Sequence, residues 1–270
     1  MSKIAGAAVI AVVFHTSAVS AQKKEDFRWN HAIEAGKVIE IKGVNGGITA
    51  IATNGSEVRV HALKTSKKSN VSDVKIEMRE TPRGYTLCAL YPTPTRRMRP
   101  MPGRPQRPNE CTPGEHWNSR TENNDVEVEW TVEVPRGVIL SANTVNGDVD
   151  IQKLEADVFA HTVNGDVTVT TTGLVRASTV NGSIDAAMGR NTWTGELKFA
   201  TVNGGVSVTF PAAGLDTQVR AQTVNGDIET DWPLTVRGRF GSKDLNGTIG
   251  AGGRMLNLST VNGSIEIRKR

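Results

Sequence analysis

LSANTVNGDVDIQ (residues 140–152) alternates apolar and polar residues on both sides of an Asn-Gly pair. Leu140, Ala142 and Thr144 share one parity before the pair, and Val149 and Ile151 share one after it. A period of two marks strands with a single buried face. From Thr144 to Val149 is five residues, an odd number, so one continuous strand would put them on opposite faces. The Asn-Gly turn must therefore redirect the chain so that both flanking strands face one interior.

The same text recurs. TVNGDV (144–149) returns as TVNGDV from 162, TVNGSI from 179, TVNGGV from 201, TVNGDI from 223 and TVNGSI from 260, with a worn copy, DLNGTI, from 244. Asn-to-Asn spacings are 18, 17, 22, 22, 21 and 16, so coil length is elastic while one feature is fixed. Each copy is entered by an alternating run, such as Val158/Ala160/Thr162 or Leu256/Leu258/Thr260. Repeats of this length read as a solenoid. Asn-Gly between alternating strands is also a strong hairpin signal, which makes an antiparallel array the competing geometry. Parallel coils are the better reading, because equivalent residues recur with the same polarity and stacking places like on like.

The expectation is an all-β, single-domain parallel β-solenoid (β-helix), right-handed, with 16–22-residue coils and Asn-Gly corners. Its corner ladder comprises Asn146-Gly147, Asn164-Gly165, Asn181-Gly182, Asn203-Gly204, Asn225-Gly226 and Asn262-Gly263. Glycine supplies a positive φ there, asparagine tolerates the same region, and stacked Asn amides can bond from coil to coil.

Residues 1–21 read as a signal peptide: Lys3, an apolar run from Ile4 to Phe14, and a small-residue cleavage site ending at Ala21. The domain then spans 22–270, interrupted by a departure at 65–125. Within that departure seven of the chain's eleven prolines fall in 91–114, which forbids regular helix or central strand and reads as an extended loop at 92–113. The overall charge of +4 is local to it: Arg96, Arg97, Arg99, Arg104 and Arg107 stand there against Glu110. Cys88 and Cys111, the only cysteines, would pair across the base of this loop in an oxidising compartment. Residues 22–37, with Phe27 and Trp29, are expected to cover one end of the solenoid, and the charges of IEIRKR (265–270) to protect the other.

Catalytic patterns are absent from this text. His31, His61, His116 and His161 sit singly in different segments, and no nucleophile elbow, P-loop or dinucleotide fingerprint occurs. Asp148, Asp166 and Asp227 follow the corners, but Ser183, Gly205, Thr248 and Ser264 at equivalent positions are poor calcium ligands, and the unit differs from that of calcium-binding β-rolls. No cofactor or metal is expected, and no membrane span after signal cleavage. The arginines suit an anionic glycan or lipopolysaccharide, and the lack of interleaved aromatics argues against specific nucleic-acid binding.

The serial TVNG corners, Val44-Asn45-Gly46-Gly47, CALYP at 88–92 with NEC at 109–111, and VPRGV at 134–138 resemble the putative-adhesin family of β-strand-repeat domains of unknown function, found in exported bacterial proteins. The resemblance implies a β-solenoid at the cell envelope, periplasmic or on the surface, and supplies no catalytic residues. The resulting expectation is a non-enzymatic interaction or structural protein with an unknown envelope partner. The alternatives are an envelope-stress accessory and a carbohydrate-active β-helix enzyme.

Overall fold

The computed structural model describes residues 23–94, 108–114, 119–237 and 242–270. Regular structure in them is β apart from one short 3-10 turn, Val71–Asp73. In chain order the strands are β1 (Lys23–Ala32), β2 (Val38–Lys42), β3 (Ile48–Thr53), β4 (Glu57–Ser66), β5 (Lys75–Thr81), β6 (Gly84–Leu90) and β7 (Glu127–Pro135). They continue as β8 (Ile139–Asn143), β9 (Val149–Leu154), β10 (Val158–His161), β11 (Val167–Thr171), β12 (Val175–Ser178), β13 (Ile184–Met188) and β14 (Glu196–Ala200). The last are β15 (Val206–Phe210), β16 (Thr217–Thr223), β17 (Ile228–Thr230), β18 (Val236–Arg237), β19 (Lys243–Ile249), β20 (Met255–Ser259) and β21 (Ile265–Lys269).

Two sheets share one interior. The first is ordered β1-β4-β7-β3-β9-β11-β13-β15-β21-β17 and the second β18-β19-β16-β20-β14-β12-β10-β8-β2-β6-β5. Each TVNG segment joins a strand of the second sheet to one of the first. Pairing between repeats is parallel, which removes the hairpin array: Ala142 aligns with Ala160, Ala160 with Ala177, and Ala177 with Phe199. Across the interior, Val149, Val167, Ile184, Val206, Ile265 and Ile228 form a matching row. All six are buried, and complete burial of such a side chain is worth about 1.5–3 kcal/mol.

The threonine before each Asn-Gly pair points inward and is also buried. A buried hydroxyl needs a partner, and each finds it one rung away. Thr144 Oγ1 donates to the Gly46 carbonyl at 2.9 Å, Thr179 to Gly165 at 3.0 Å and Thr201 to Gly182 at 2.8 Å. The side chain thereby ties successive rungs together from inside.

Stack order departs from chain order at both ends. The final coil, β20–β21, lies between β14–β15 and β16–β17, so Asn262 neighbours both Asn203 and Asn225. IEIRKR is consequently inside the stack and protects no end. The DLNGTI copy is no coil either: it lies within β19, which runs antiparallel both to β16 and to the short edge strand β18 of the second sheet. At the other end β6, inside the 65–125 segment, pairs parallel with β2, and β7, just after it, pairs parallel with β3, so the two strands add one more coil. Beyond it, β4 and β1 extend the first sheet and β5 the second, all antiparallel to their neighbours. Phe27 and Trp29 of β1 are partly buried against the core, and the Trp29, His31 and Tyr85 rings cluster at 4.7–5.8 Å beside it.

Candidate interaction surface

The repeated motif forms one edge of the stack. Asn146 Nδ2 donates to Asn45 Oδ1 at 2.9 Å, Asn164 to Asn146 at 2.8 Å, Asn181 to Asn164 at 2.7 Å and Asn203 to Asn181 at 2.7 Å. Asn262 continues the row onto Asn203, and Asn225 onto Asn262. Asn146, Asn164, Asn181, Asn203 and Asn262 thus each donate to one sister amide and accept from another, leaving little with which to read a ligand. The adjoining glycines touch more closely still. A Cβ on Gly147 would lie 2.2 Å from the Gly46 carbonyl oxygen, and the gap would be 2.0–2.1 Å at Gly165, Gly182, Gly204, Gly263 and Gly226. Gly182 has φ +154° whereas Gly226 lies outside the positive-φ set, so close rung contact, more than φ, is the requirement common to every copy. Between Thr and Asn, Val180, Val202, Val261 and Val224 are 36–45% exposed along the same edge.

The coil formed by β6 and β7 replaces this motif with the long segment 91–126. Its ends are firmly held. Cys88 and Cys111 form a disulfide with Cα atoms 5.5 Å apart. Tyr91 is buried, donates its hydroxyl to the Val126 carbonyl at 2.7 Å, and has its phenol pKa raised by that burial. Asn109 bridges the limbs, donating to the Tyr91 carbonyl at 3.0 Å and the Arg120 carbonyl at 2.7 Å. At the far end the Asp125 carboxylate accepts from the backbone of Ser69, Lys68 and Lys67 at 2.7–3.1 Å. Hydrogen bonding, from Ser69 first and then Lys68 and Lys67, holds its pKa well below the carboxylate range.

Residues 111–114 cross the outer face of the second sheet above Glu40 and Lys42. Lys42 is 1% exposed, sits 3.3 Å from Glu40, and donates to the Thr112 carbonyl at 2.6 Å and to the Gly114 carbonyl. Glu40 Oε2 in turn accepts from Thr86 Oγ1 at 2.8 Å and Gly114 N–H at 3.0 Å. Burial lowers the Lys42 pKa, with the Glu40 charge opposing. Sequence reasoning missed this pair. The alternation puts Glu40 and Lys42 on the outward parity, and only the returning loop makes that position interior.

Arg96, Arg97, Arg99, Arg104 and Arg107 lie outside the described residues, as do His116 and residues 1–21. The aspartates are separated in role. Asp148 Oδ1 accepts from Asp166 N–H at 2.8 Å, Asp166 Oδ1 from Ser183 N–H at 2.7 Å, and Asp227 pairs with Lys243. Asp148 and Asp166 thus bond the backbone of the next rung, whereas Asp227 meets a side chain. Beside them an open concavity of 440 Å³ is edged by Glu127, Glu129, Asp148 and Asp150. The histidines stay apart: His61 meets Asp26, His31 meets Tyr85, and His161 Nδ1 meets Ser178 Oγ at 2.8 Å with its pKa lowered by burial. Among the described residues no group of three or more His, Cys, Asp or Glu is placed to hold a metal ion, and no helix is long and apolar enough to cross a membrane.

Two parallel-rich sheets closed by a Thr/Asn/Gly spine, with one coil opened into a disulfide-rooted loop, define a β-solenoid repeat domain. The chain belongs to the Toastrack DUF4097 family, whose model matches residues 39–268. Solved structures similar to it include a putative cell adhesion protein from Clostridium sporogenes ATCC 15579, at 11% identity and TM-score 0.42, covering 91% of this chain and 100% of that one. Another is a putative adhesin from Bacteroides fragilis NCTC 9343, at 10% identity and TM-score 0.27, covering 91% and 97%. No curated protein matches the chain.

Proposed function

We propose that the protein is an exported, non-catalytic, adhesin-like solenoid that works by holding an anionic envelope component, such as an acidic glycan or lipopolysaccharide, against its loop at 92–113. In this reading residues 1–21 are a cleaved signal, the coils are right-handed as parallel crossovers generally are, and the Asn-Gly pairs are corner posts. The observation that carries it is the root of the loop. A disulfide, a buried Tyr and a buried Glu-Lys pair all fix the ends of a segment whose sequence holds five arginines and six prolines between residues 92 and 108. Such anchoring limits the ordering cost of engaging a partner, and arginine forks suit carboxylate and phosphate.

The test is to replace residues 95–107 with a short Gly-Ser linker. Asn109 N–H already donates to Thr93 Oγ1 at 3.0 Å, so the two limbs are adjacent and the fold should survive. Binding to isolated cell envelopes should be strong and salt-sensitive for the wild type and lost in the variant. Equal binding of the two proteins at low and high salt would remove the loop from the account.

A further inference from the structure

The outer face of the second sheet carries a second cationic feature, built from described residues alone. Register places Ser141, Phe159 and Arg176 on successive rungs, and Lys198, Asn257 and Arg220 likewise. The β12–β14 register, with Ala177 opposite Phe199, joins the two halves by setting Arg176 beside Lys198. The row therefore runs along the stack axis, across six strands. Rungs are about 4.8 Å apart, which puts Arg176 and Lys198 one interval apart and Lys198 and Arg220 two.

These cations are free to act. Among the described residues none of the three pairs with a carboxylate. Lys198 and Arg220 are exposed. Arg176 is pre-positioned, its guanidinium 5.4 Å from the centroid of the Phe159 ring, which is itself 37% exposed. The acids on the same face are engaged: Glu196 accepts from Asn257 at 2.8 Å, Asp244 from Asn246 at 3.2 Å, and Glu40 is buried with Lys42. The opposite outer face has the other sign, with Asp150, Asp185, Glu266 and Glu229 at equivalent depth on their strands.

We propose that this row binds a linear carboxylated polysaccharide lying across the strands. Arg176, Lys198 and Arg220 would meet carboxylates, the Phe159 ring would carry a pyranose face, and the Gln222 amide would serve hydroxyls. The spacing of the cations matches charges repeated every one or two sugar units. Polar chemistry around a single aromatic platform favours a sugar acid over a lipid surface, because among the described residues no apolar patch accompanies the charges. The proposal deepens the glycan reading given above and rests on it, but uses residues that the loop does not supply.

The test compares wild type, an Arg176→Thr/Lys198→Thr/Arg220→Thr variant, a Phe159→Ala variant and the loop replacement by calorimetry. Polygalacturonate is the probe and dextran the neutral control, at low and high salt. Threonine keeps strand propensity, and far-UV circular dichroism checks the fold. The triple variant should weaken polygalacturonate binding by about 30-fold, as expected for three exposed charge contacts, and flatten its salt dependence. Phe159→Ala should weaken it without changing that dependence, and dextran should not bind. A wild type that ignores polygalacturonate, or a triple variant that binds it unchanged, overturns the proposal. Salt-sensitive self-association that the triple variant abolishes, in a protein that ignores the polymer, also overturns it and makes the acidic face of a second copy the occupant. Failure of this face with envelope binding still dependent on the loop leaves the loop reading intact. Loss of envelope binding in the wild type removes the loop reading instead.

Discussion

Gly182→Ala probes the spine where it is most enclosed. The new Cβ would sit 2.0 Å from the Gly165 carbonyl oxygen and 2.5 Å from its carbonyl carbon, at φ +154°. Ordinary Cβ contacts are beyond 3 Å, so two rungs must separate by about 1 Å over a spacing of about 4.8 Å. That separation loosens the Asn181–Asn164 amide bond of 2.7 Å and the Thr179–Gly165 bond of 3.0 Å. Strained φ contributes about 1 kcal/mol or more, and two weakened hydrogen bonds about 1 kcal/mol each, giving about 3 kcal/mol. For a domain of this size that is a Tm drop of roughly 6–12 °C. Ser183→Ala, next in sequence, loses only an exposed acceptor 3.2 Å from Gly205 N–H and should shift Tm by less than about 2 °C. Thermal melts at 218 nm compare them, with amide exchange of Gly182 and Ile184 reporting whether damage is local, as stacked repeats allow. Equal effects of the two substitutions would mean that rung contact at the glycine does not hold the stack together.

Lys42→Met strands the Glu40 carboxylate beneath the returning loop, and should cost about 3 kcal/mol in urea unfolding while opening 108–114 to protease. Reducing the Cys88–Cys111 bond, which closes a 23-residue separation, should cost about 3 kcal/mol, read as a lower denaturation midpoint. The depressed pKa of Asp125 stabilises its contacts with Ser69, Lys68 and Lys67 fully above about pH 4. That contribution is lost as pH falls through the lower folded value, so proteolysis of this segment should rise in acid and be pH-independent in Asp125→Asn. Asn246→Ala should change stability by less than about 0.5 kcal/mol, because this exposed amide bonds, among the described residues, only Asp244; Asn181→Ala, which loses two ladder bonds, should cost about 1–2 kcal/mol.

Period-two alternation around the Asn-Gly pairs was enough to read two strands per repeat, their buried parity and a parallel stack. What it left unread was order. Every TVNG copy is interchangeable as text, so nothing local distinguishes Asn262 beside Asn203 from Asn262 beyond Asn225. The DLNGTI error has a visible cause. That copy lacks the inward Thr and the exposed Val, and its Gly247 abuts the Leu234 side chain where a true copy meets a carbonyl of the neighbouring rung. The missing Thr-Val could have been weighted above the retained Asn-Gly. The cationic row was equally hidden, since Arg176, Lys198 and Arg220 align only once the rungs are in register.

In this protein the repeated motif builds the spine while contact is made elsewhere. Amide-exchange footprinting of the protein with and without bound envelope glycan separates the two roles. Protection is expected at 108–114 and along β10, β12, β14 and β16, with the edge at Val180, Val202, Val261 and Val224 unchanged. Protection confined to that valine edge would contradict it and return the TVNG repeat to the role of binding site.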